Sequence, residues 1–319
     1  MQLLFGRLLG TENSRLFYRG SLSASPSRFS LTSVALFSGR IHAINSLVSV
    51  QAISIDSLEK WFPPSYGGWR AFLQPFASPT SAALRGVGFE VAPGEAIALL
   101  GANGAGKSTL LRILATLLLP TRGKASLAGH NVVNEPREVR RNLGYHAGMD
   151  LGFYARLTGR QNLRFFGRLN HLSNNLIESR ANFLAERFEL GAALDKQVRL
   201  LSSGTVQKLS LVRALLHQPR VLLLDEPTRS LDAFAAASFR QFLKTEVLRR
   251  QGTSLLFASH SLAEIELLAD RVAVLHDGKL LAFDSPARLK QEAFAATLEE
   301  VFFRLTGHSV PSNPEPNRA

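Results

Sequence analysis

The stretch Gly101-Ala102-Asn103-Gly104-Ala105-Gly106-Lys107-Ser108-Thr109 decides the fold of this 319-residue chain. It satisfies the phosphate-loop pattern G-x-x-x-x-G-K-[ST] from Gly101 to Ser108. The apolar run Ala96-Ile97-Ala98-Leu99-Leu100 before it has the length of a buried strand, and Leu110-Leu111-Arg112-Ile113-Leu114 after it reads as a helix. A glycine-rich turn that matched by chance would lack this strand–loop–helix setting. Glycines let backbone N–H groups approach β- and γ-phosphates with no Cβ in the way. The following helix points its positive end at the anion. Lys107 supplies a cation, and the Ser108 hydroxyl is suited to Mg²⁺.

A second apolar run, Val221-Leu222-Leu223-Leu224, ends in two carboxylates, Asp225 and Glu226. Beside a phosphate loop, Asp225 is placed to hold Mg²⁺ through water. Glu226 is placed to orient or deprotonate an attacking water. Both are expected at the carboxyl end of a central parallel strand, where α/β folds put their ligands.

Three further stretches follow in a telling order. Leu201-Ser202-Ser203-Gly204-Thr205-Val206-Gln207-Lys208 is a small-residue turn opening a helix. Arg229-Ser230-Leu231-Asp232 follows the carboxylates, and Leu255-Leu256-Phe257-Ala258-Ser259 is a strand that ends at His260. With these elements the chain resembles the ATP-binding subunit of ABC transporters over about residues 54–307. The resemblance implies an α/β P-loop NTPase of the ABC ATPase type, with a mainly parallel sheet, a flanking antiparallel β part and a helical subdomain. It implies ATP and Mg²⁺ as cofactors, with the cradle formed by Gly101, Ala102, Asn103, Gly104, Ala105, Gly106, Lys107, Ser108 and Thr109, and Ser108 and Asp225 on the metal. Lys107, Glu226 and His260 would carry hydrolysis, His260 as the switch histidine on the γ-phosphate. Ser202, Ser203 and Gly204 match the signature turn, usually Leu-Ser-Gly-Gly-Gln, which caps the nucleotide held by the other subunit of a head-to-tail dimer. Ser203 and Thr205 replace a glycine and the glutamine. The stretch to Asp232 matches the D-loop along that interface. The adenine-stacking aromatic of the family falls in Leu58-Glu59-Lys60-Trp61-Phe62, with Phe62 the first choice and Trp61 the second; a core strand residue is the competing reading.

The pattern breaks at one place. The family carries a glutamine after the strand that precedes the helical subdomain, where it touches Mg²⁺ and transmits nucleotide state. Here the segment is Leu143-Gly144-Tyr145-His146-Ala147-Gly148-Met149-Asp150, with Gly148 at the matching position. Asp150 or a water is the expected substitute. The next stretch, from Phe153 to Leu163, resembles exporters of drugs and polysaccharides.

Composition sets outer limits. Formal net charge is +12, which suits an anionic surface. No basic–aromatic stripe stands out, so a membrane surface is favoured and no nucleic-acid partner is expected. With no cysteine, thiol redox chemistry and cysteine-ligated zinc are excluded. No apolar run approaches the roughly 18 residues that span a bilayer, so a separate polytopic permease must supply any transport path. A second copy, or a paired ABC ATPase subunit, completes the expected assembly at the cytoplasmic face of the cell membrane. The alternative is a soluble ABC ATPase acting on ribosomes or nucleic acid; such proteins usually carry two cassettes or a long coiled coil.

Residues 1–50 are rich in serine and arginine, with Glu12 their only acid. A basic disordered arm, a transit peptide and a misread translation start all fit; a poorly ordered extension is expected. The ATPase domain is expected over 51–285, with a Pro/Gly/aromatic insertion at 63–80 and the helical subdomain at about 150–200. Arg156, Arg160, Arg164 and Arg168 recur at every fourth position and read as a solvated helix face, with lipid headgroups or a membrane partner as the other reading. Asp277-Gly278 signals a hairpin. Over 286–319 a C-terminal amphipathic helix, Thr297 to Leu305, stops at Gly307 before a disordered tail.

Overall fold

The computed structural model describes residues 50–63, 81–148 and 152–307. The N-terminal extension up to Ser49, the insertion beyond Pro63, Asp150 and the tail from His308 lie outside them.

Two sheets form. The first is antiparallel, in the order β2 (Ser81–Val91), β1 (Ile53–Phe62), β4 (Arg122–Leu127), β5 (His130–Asn131). The second has six strands in the order β10 (Lys279–Asp284), β9 (Arg271–His276), β3 (Ala96–Leu100), β8 (Ser254–Ala258), β7 (Val221–Asp225), β6 (Leu143–His146). From β9 to β6 every neighbour is parallel; β10 is an antiparallel edge. Asp277 and Gly278 make its hairpin with φ of 46° and 75°, the twist that a two-residue turn between antiparallel strands favours.

The central strands read as unbroken apolar runs because both of their faces are covered. Ala98, Leu222, Leu224, Leu255, Phe257 and Val272 join one core cluster with the helical subdomain. Their alternating neighbours Ile97, Leu99, Leu223, Leu256, Ala273 and Leu275 join the other, against the antiparallel sheet and α1 (Lys107–Leu114). The subdomain is α3 (Gly159–Leu169) and α4 (Asn174–Arg187), preceded in the chain by α2 (Pro136–Asn142). Short 3₁₀ turns at Gly191–Asp195 and Val198–Leu200 lead to α5 (Ser203–Leu215). Beyond β7, α6 (Ala233–Phe242) runs on as a π-helical stretch, Leu243–Arg250. Next come α7 (Leu262–Leu268), α8 (Pro286–Glu292) and α9 (Leu298–Thr306), the last capped by Thr297 and ended by Gly307 at φ 72°.

The arginine series departs from its reading. The helix starts at Gly159 behind a Thr158–Gln161 capping box, so Arg156 lies ahead of it. Arg160 stands 2.7 Å from Asp195 and 2.9 Å from Glu178, and Arg164 also pairs with Glu178. These two arginines bind α3 to α4 and to the 3₁₀ turn, and their charge is compensated within the subdomain. Arg156, Arg164 and Arg168 are exposed, and Arg160 is half-buried.

Candidate active site

Strand register gathers the motif residues. Leu99 of β3 and Asp225 of β7 both pair with Ala258 of the intervening β8. The phosphate loop, the Asp225–Glu226 pair and Ser259–His260 therefore leave the sheet at one level, at the carboxyl ends of parallel strands.

The loop's geometry follows from its glycines. Gly106 has φ 103°, and a Cβ there would come within 2.4 Å of the Ala83 carbonyl oxygen. At Lys107, on the first turn of α1, the side chain is almost wholly buried. Its ammonium donates to the carbonyls of Gly101 (2.6 Å) and Ala102 (3.0 Å). Burial pulls the Lys107 pKa below the ordinary lysine value, and the nearby Glu226 and Asp225 carboxylates partly offset this. Asp225 is displaced upward by burial, with the Ser108 hydroxyl hydrogen-bonding it and pulling the other way.

Ser108, Asp225, Glu226, Arg112, Gly148 and Gln207 line a pocket of about 240 Å³. Asn103, Thr228, Arg229 and His260 line a hollow of about 370 Å³ that shares Glu226. Among the described residues no group of three or more His, Cys, Asp or Glu could hold a metal on its own. One carboxylate and one hydroxyl are hard oxygen donors of the kind that hold Mg²⁺ jointly with phosphate, so these residues fit that ion.

Glu226 sits in the left-handed region at φ 49°, and its backbone N–H donates to the Ala258 carbonyl at 3.0 Å. One carboxylate oxygen is 2.9 Å from His260 Nε2 and the other 3.1 Å from Arg229 Nη1. Glutamate in this conformation stores backbone strain that the surroundings must hold in place.

The remaining expected residues are placed as follows. Ser202 caps α5, accepting from the Thr205 N–H at 3.2 Å, and the two hydroxyls lie 2.8 Å apart. A Cβ on Gly204 would fall 3.1 Å from the Ser230 carbonyl oxygen, so the signature turn rests against the D-loop of its own chain. Asp232 caps α6 through the Ala235 N–H at 2.8 Å. Phe62 ends β1 opposite Ser81, two residues from the Ala83 that backs Gly106, and the Lys60 ammonium lies 5.1 Å from its ring centroid. Trp61 donates to Glu59 at 3.1 Å. Neither aromatic lines the pocket that holds Asp225.

Several residues in and around the site had no motif to announce them. Gln207 of α5 donates from its amide to Pro227 O (3.1 Å) and lies 2.9 Å from His146 Nε2; His146 Nδ1 is 3.0 Å from Ser210 Oγ. Burial, with Arg213 adding to it, lowers the His146 pKa to about 3, so the ring is neutral. Glu264 is fully buried on α7, bonded to Ser259 and to Thr228 (3.3 Å), and burial pushes its carboxyl upward. The Ser261-x-x-Glu264 spacing is that of a capping box, yet the Glu264 carboxyl bonds Ser259 and Thr228.

The family profile described as ABC transporter matches residues 84–229. The ABC transporter ATP-binding protein NatA of Bacillus subtilis (strain 168) is 38% identical over 199 residues, covering 62% of this chain and 80% of that protein. The daunorubicin resistance ATP-binding protein DrrA3 of Streptomyces coeruleorubidus is 41% identical over 244 residues, covering 76% of this chain and 70% of its own length. A solved structure of an ATP-binding subunit of an ABC transporter superposes with a TM-score of 0.67 at 28% identity, covering 80% of this chain and 99% of that one. The phosphate loop, the carboxylate pair, the strand-end histidine and these likenesses agree: the chain belongs to the ABC transporter family, in which it is an ATP-binding cassette.

Proposed function

We propose that this protein binds and hydrolyses ATP with Mg²⁺ as the motor subunit of an exporter, working as a two-copy sandwich on a separate membrane permease. The observation that carries this reading is the convergence of Lys107, Ser108, Asp225, Glu226 and His260 on one edge of the parallel sheet. Triphosphate binding takes the Lys107 ammonium from the Gly101 and Ala102 carbonyls to phosphate oxygens, while loop N–H groups and the start of α1 hold the remaining charge. Ser108 and Asp225 would hold the metal, whose charge would offset that of the phosphates. Glu226 orients the attacking water. His260 moves from Glu226 to the γ-phosphate, freeing one carboxylate oxygen. Ser202, Ser203 and Gly204 of a second copy exclude bulk water and add donors where charge develops. Phe62 receives adenine.

Relatives support export: their names include daunorubicin resistance proteins and a Nod factor export protein. A dimeric structure of a bacterial ABC transporter cassette shares the fold, with a TM-score of 0.64 at 22% identity. For the permease we assign the open groove of about 430 Å³ where Leu117 and Leu169 meet Arg137, Arg140 and Arg141. No helix among the described residues is long and apolar enough to cross a membrane. The test is Glu226→Gln: with ATP it should elute as a stable dimer and scarcely turn over. Elution as a monomer at saturating ATP counts against the sandwich.

A further inference from the structure

The family glutamine missing at Gly148 leaves a gap in chemistry, and the backbone shows why the loop does not fill it. Gly148 has φ 61°, and a Cβ there would lie 3.1 Å from the Asp225 carbonyl oxygen. A side chain at this position is strained by its own backbone and crowded by the strand that carries the metal ligand.

A carboxamide nevertheless reaches the same pocket from another element. Gln207, one turn into α5, lines it together with Ser108, Asp225 and Gly148. Its orientation is determined by its neighbours. The Pro227 carbonyl can only accept, so the NH₂ end lies there, 3.1 Å away. The second amide hydrogen goes to His146 Nε2 at 2.9 Å. That leaves His146 Nδ1–H to donate to Ser210 Oγ at 3.0 Å. Both hydrogens of the amide are thus spent, and no described residue donates to its oxygen. A carboxamide oxygen held without a partner in a pocket with a hydroxyl and a carboxylate is a third hard donor.

We propose that Gln207 supplies the carboxamide oxygen to the Mg²⁺ hydration shell that the loop glutamine supplies elsewhere in the family, with Pro227 and His146 fixing its aim. This rests on the reading of Ser108 and Asp225 as the metal ligands. The arrangement also ties α5, which opens with the signature turn, to the strand end that holds Asp225, through Pro227.

The test is Mn²⁺ affinity, followed by electron paramagnetic resonance, for full-length protein saturated with a slowly hydrolysed ATP analogue. Gln207→Met keeps the side-chain length without the amide. It should weaken Mn²⁺ binding about tenfold, the loss typical of an outer partner of a metal site. Analogue affinity in excess chelator should be unchanged. Unchanged Mn²⁺ affinity overturns the proposal and leaves the ATPase reading standing. Wild-type protein that binds no nucleotide, with or without metal, overturns that reading first. A measurement on wild-type protein is independent of how the variant folds. With ¹⁵N-glutamine labelling, Mn²⁺ and the analogue should broaden the Gln207 side-chain amide beyond detection. A sharp Gln207 resonance in that complex overturns the proposal.

Discussion

At Lys107 a nearly buried ammonium has no carboxylate bonded to it and is held by two loop carbonyls. Carbonyl oxygens are weaker partners for a cation than phosphate oxygens, so the residue is poised to transfer. Lys107→Met should therefore lower ATP turnover on the order of a hundredfold and abolish nucleotide retention on a desalting column, with the fold intact by circular dichroism. Retained turnover would remove the phosphate cradle from the argument. Arg229 is the second telling residue. It holds one oxygen of Glu226 while His260 holds the other. Arg229→Ala removes the tether that remains once His260 has turned to the γ-phosphate, so kcat should fall about tenfold while KM for ATP stays put, a split read from steady-state kinetics. The motif residues were legible from sequence because their chemistry demands fixed local spacing. Gln207 in the pocket was not, because its contacts depend on where β6, β7 and α5 come to rest, and the Arg229–Glu226 contact, though only three residues apart, depends on the turn that follows β7.

At the scale of elements, the helical subdomain shows caps and core at different strengths. The Thr158 hydroxyl accepts from the Gln161 N–H at 3.1 Å, and the Gln161 side chain returns to the Thr158 N–H at 2.9 Å. Losing this cap in Thr158→Ala should cost about 1 kcal/mol. Leu163, one turn further and fully buried, fills the core beneath. Leu163→Ala should cost about 3 kcal/mol. Urea unfolding at equilibrium checks both, and equal losses would mean that the cap and the core do not differ as argued. Element boundaries were readable where periodicity and caps agreed: α9 begins behind Thr297 and stops at Gly307 as expected. The arginine face was misread because four-residue spacing places Arg160 and Arg164 on one side of α3 without revealing that Glu178 of α4 and Asp195 lie opposite. Spacing reports which residues share a face; the partner of that face is a tertiary fact.

Across the whole molecule, buried titratable groups give stability a pH dependence of mixed sign. His146 joins β6 to α5 and is neutral in the fold, its pKa lowered from 6.5 to about 3. Between those values the unfolded chain binds the proton and the folded one does not, so stability rises with pH through this window. The contribution is fully present above about pH 6.5 and is lost as pH falls toward about 3, with a span on the order of 5 kcal/mol. Glu264, pushed upward by burial, acts oppositely: the fold favours its protonated form, and stability falls as pH rises from the ordinary carboxylate range. Paired carboxylates such as Glu178 and Asp195, held low, lose their contribution only in more acid solution. The interval just below pH 6.5 therefore reports on the buried histidines: His146, and also His217, whose pKa burial likewise lowers. His146→Leu removes the titrating group and strands a Gln207 N–H, so it should be less stable than wild type at about pH 7.5 by about 1–3 kcal/mol. On acidification to about pH 5 wild type should lose stability faster, and the two urea-unfolding curves should converge. Curves that stay parallel across that interval would show that the buried His146–Gln207–Ser210 chain does not carry the acid sensitivity of the fold.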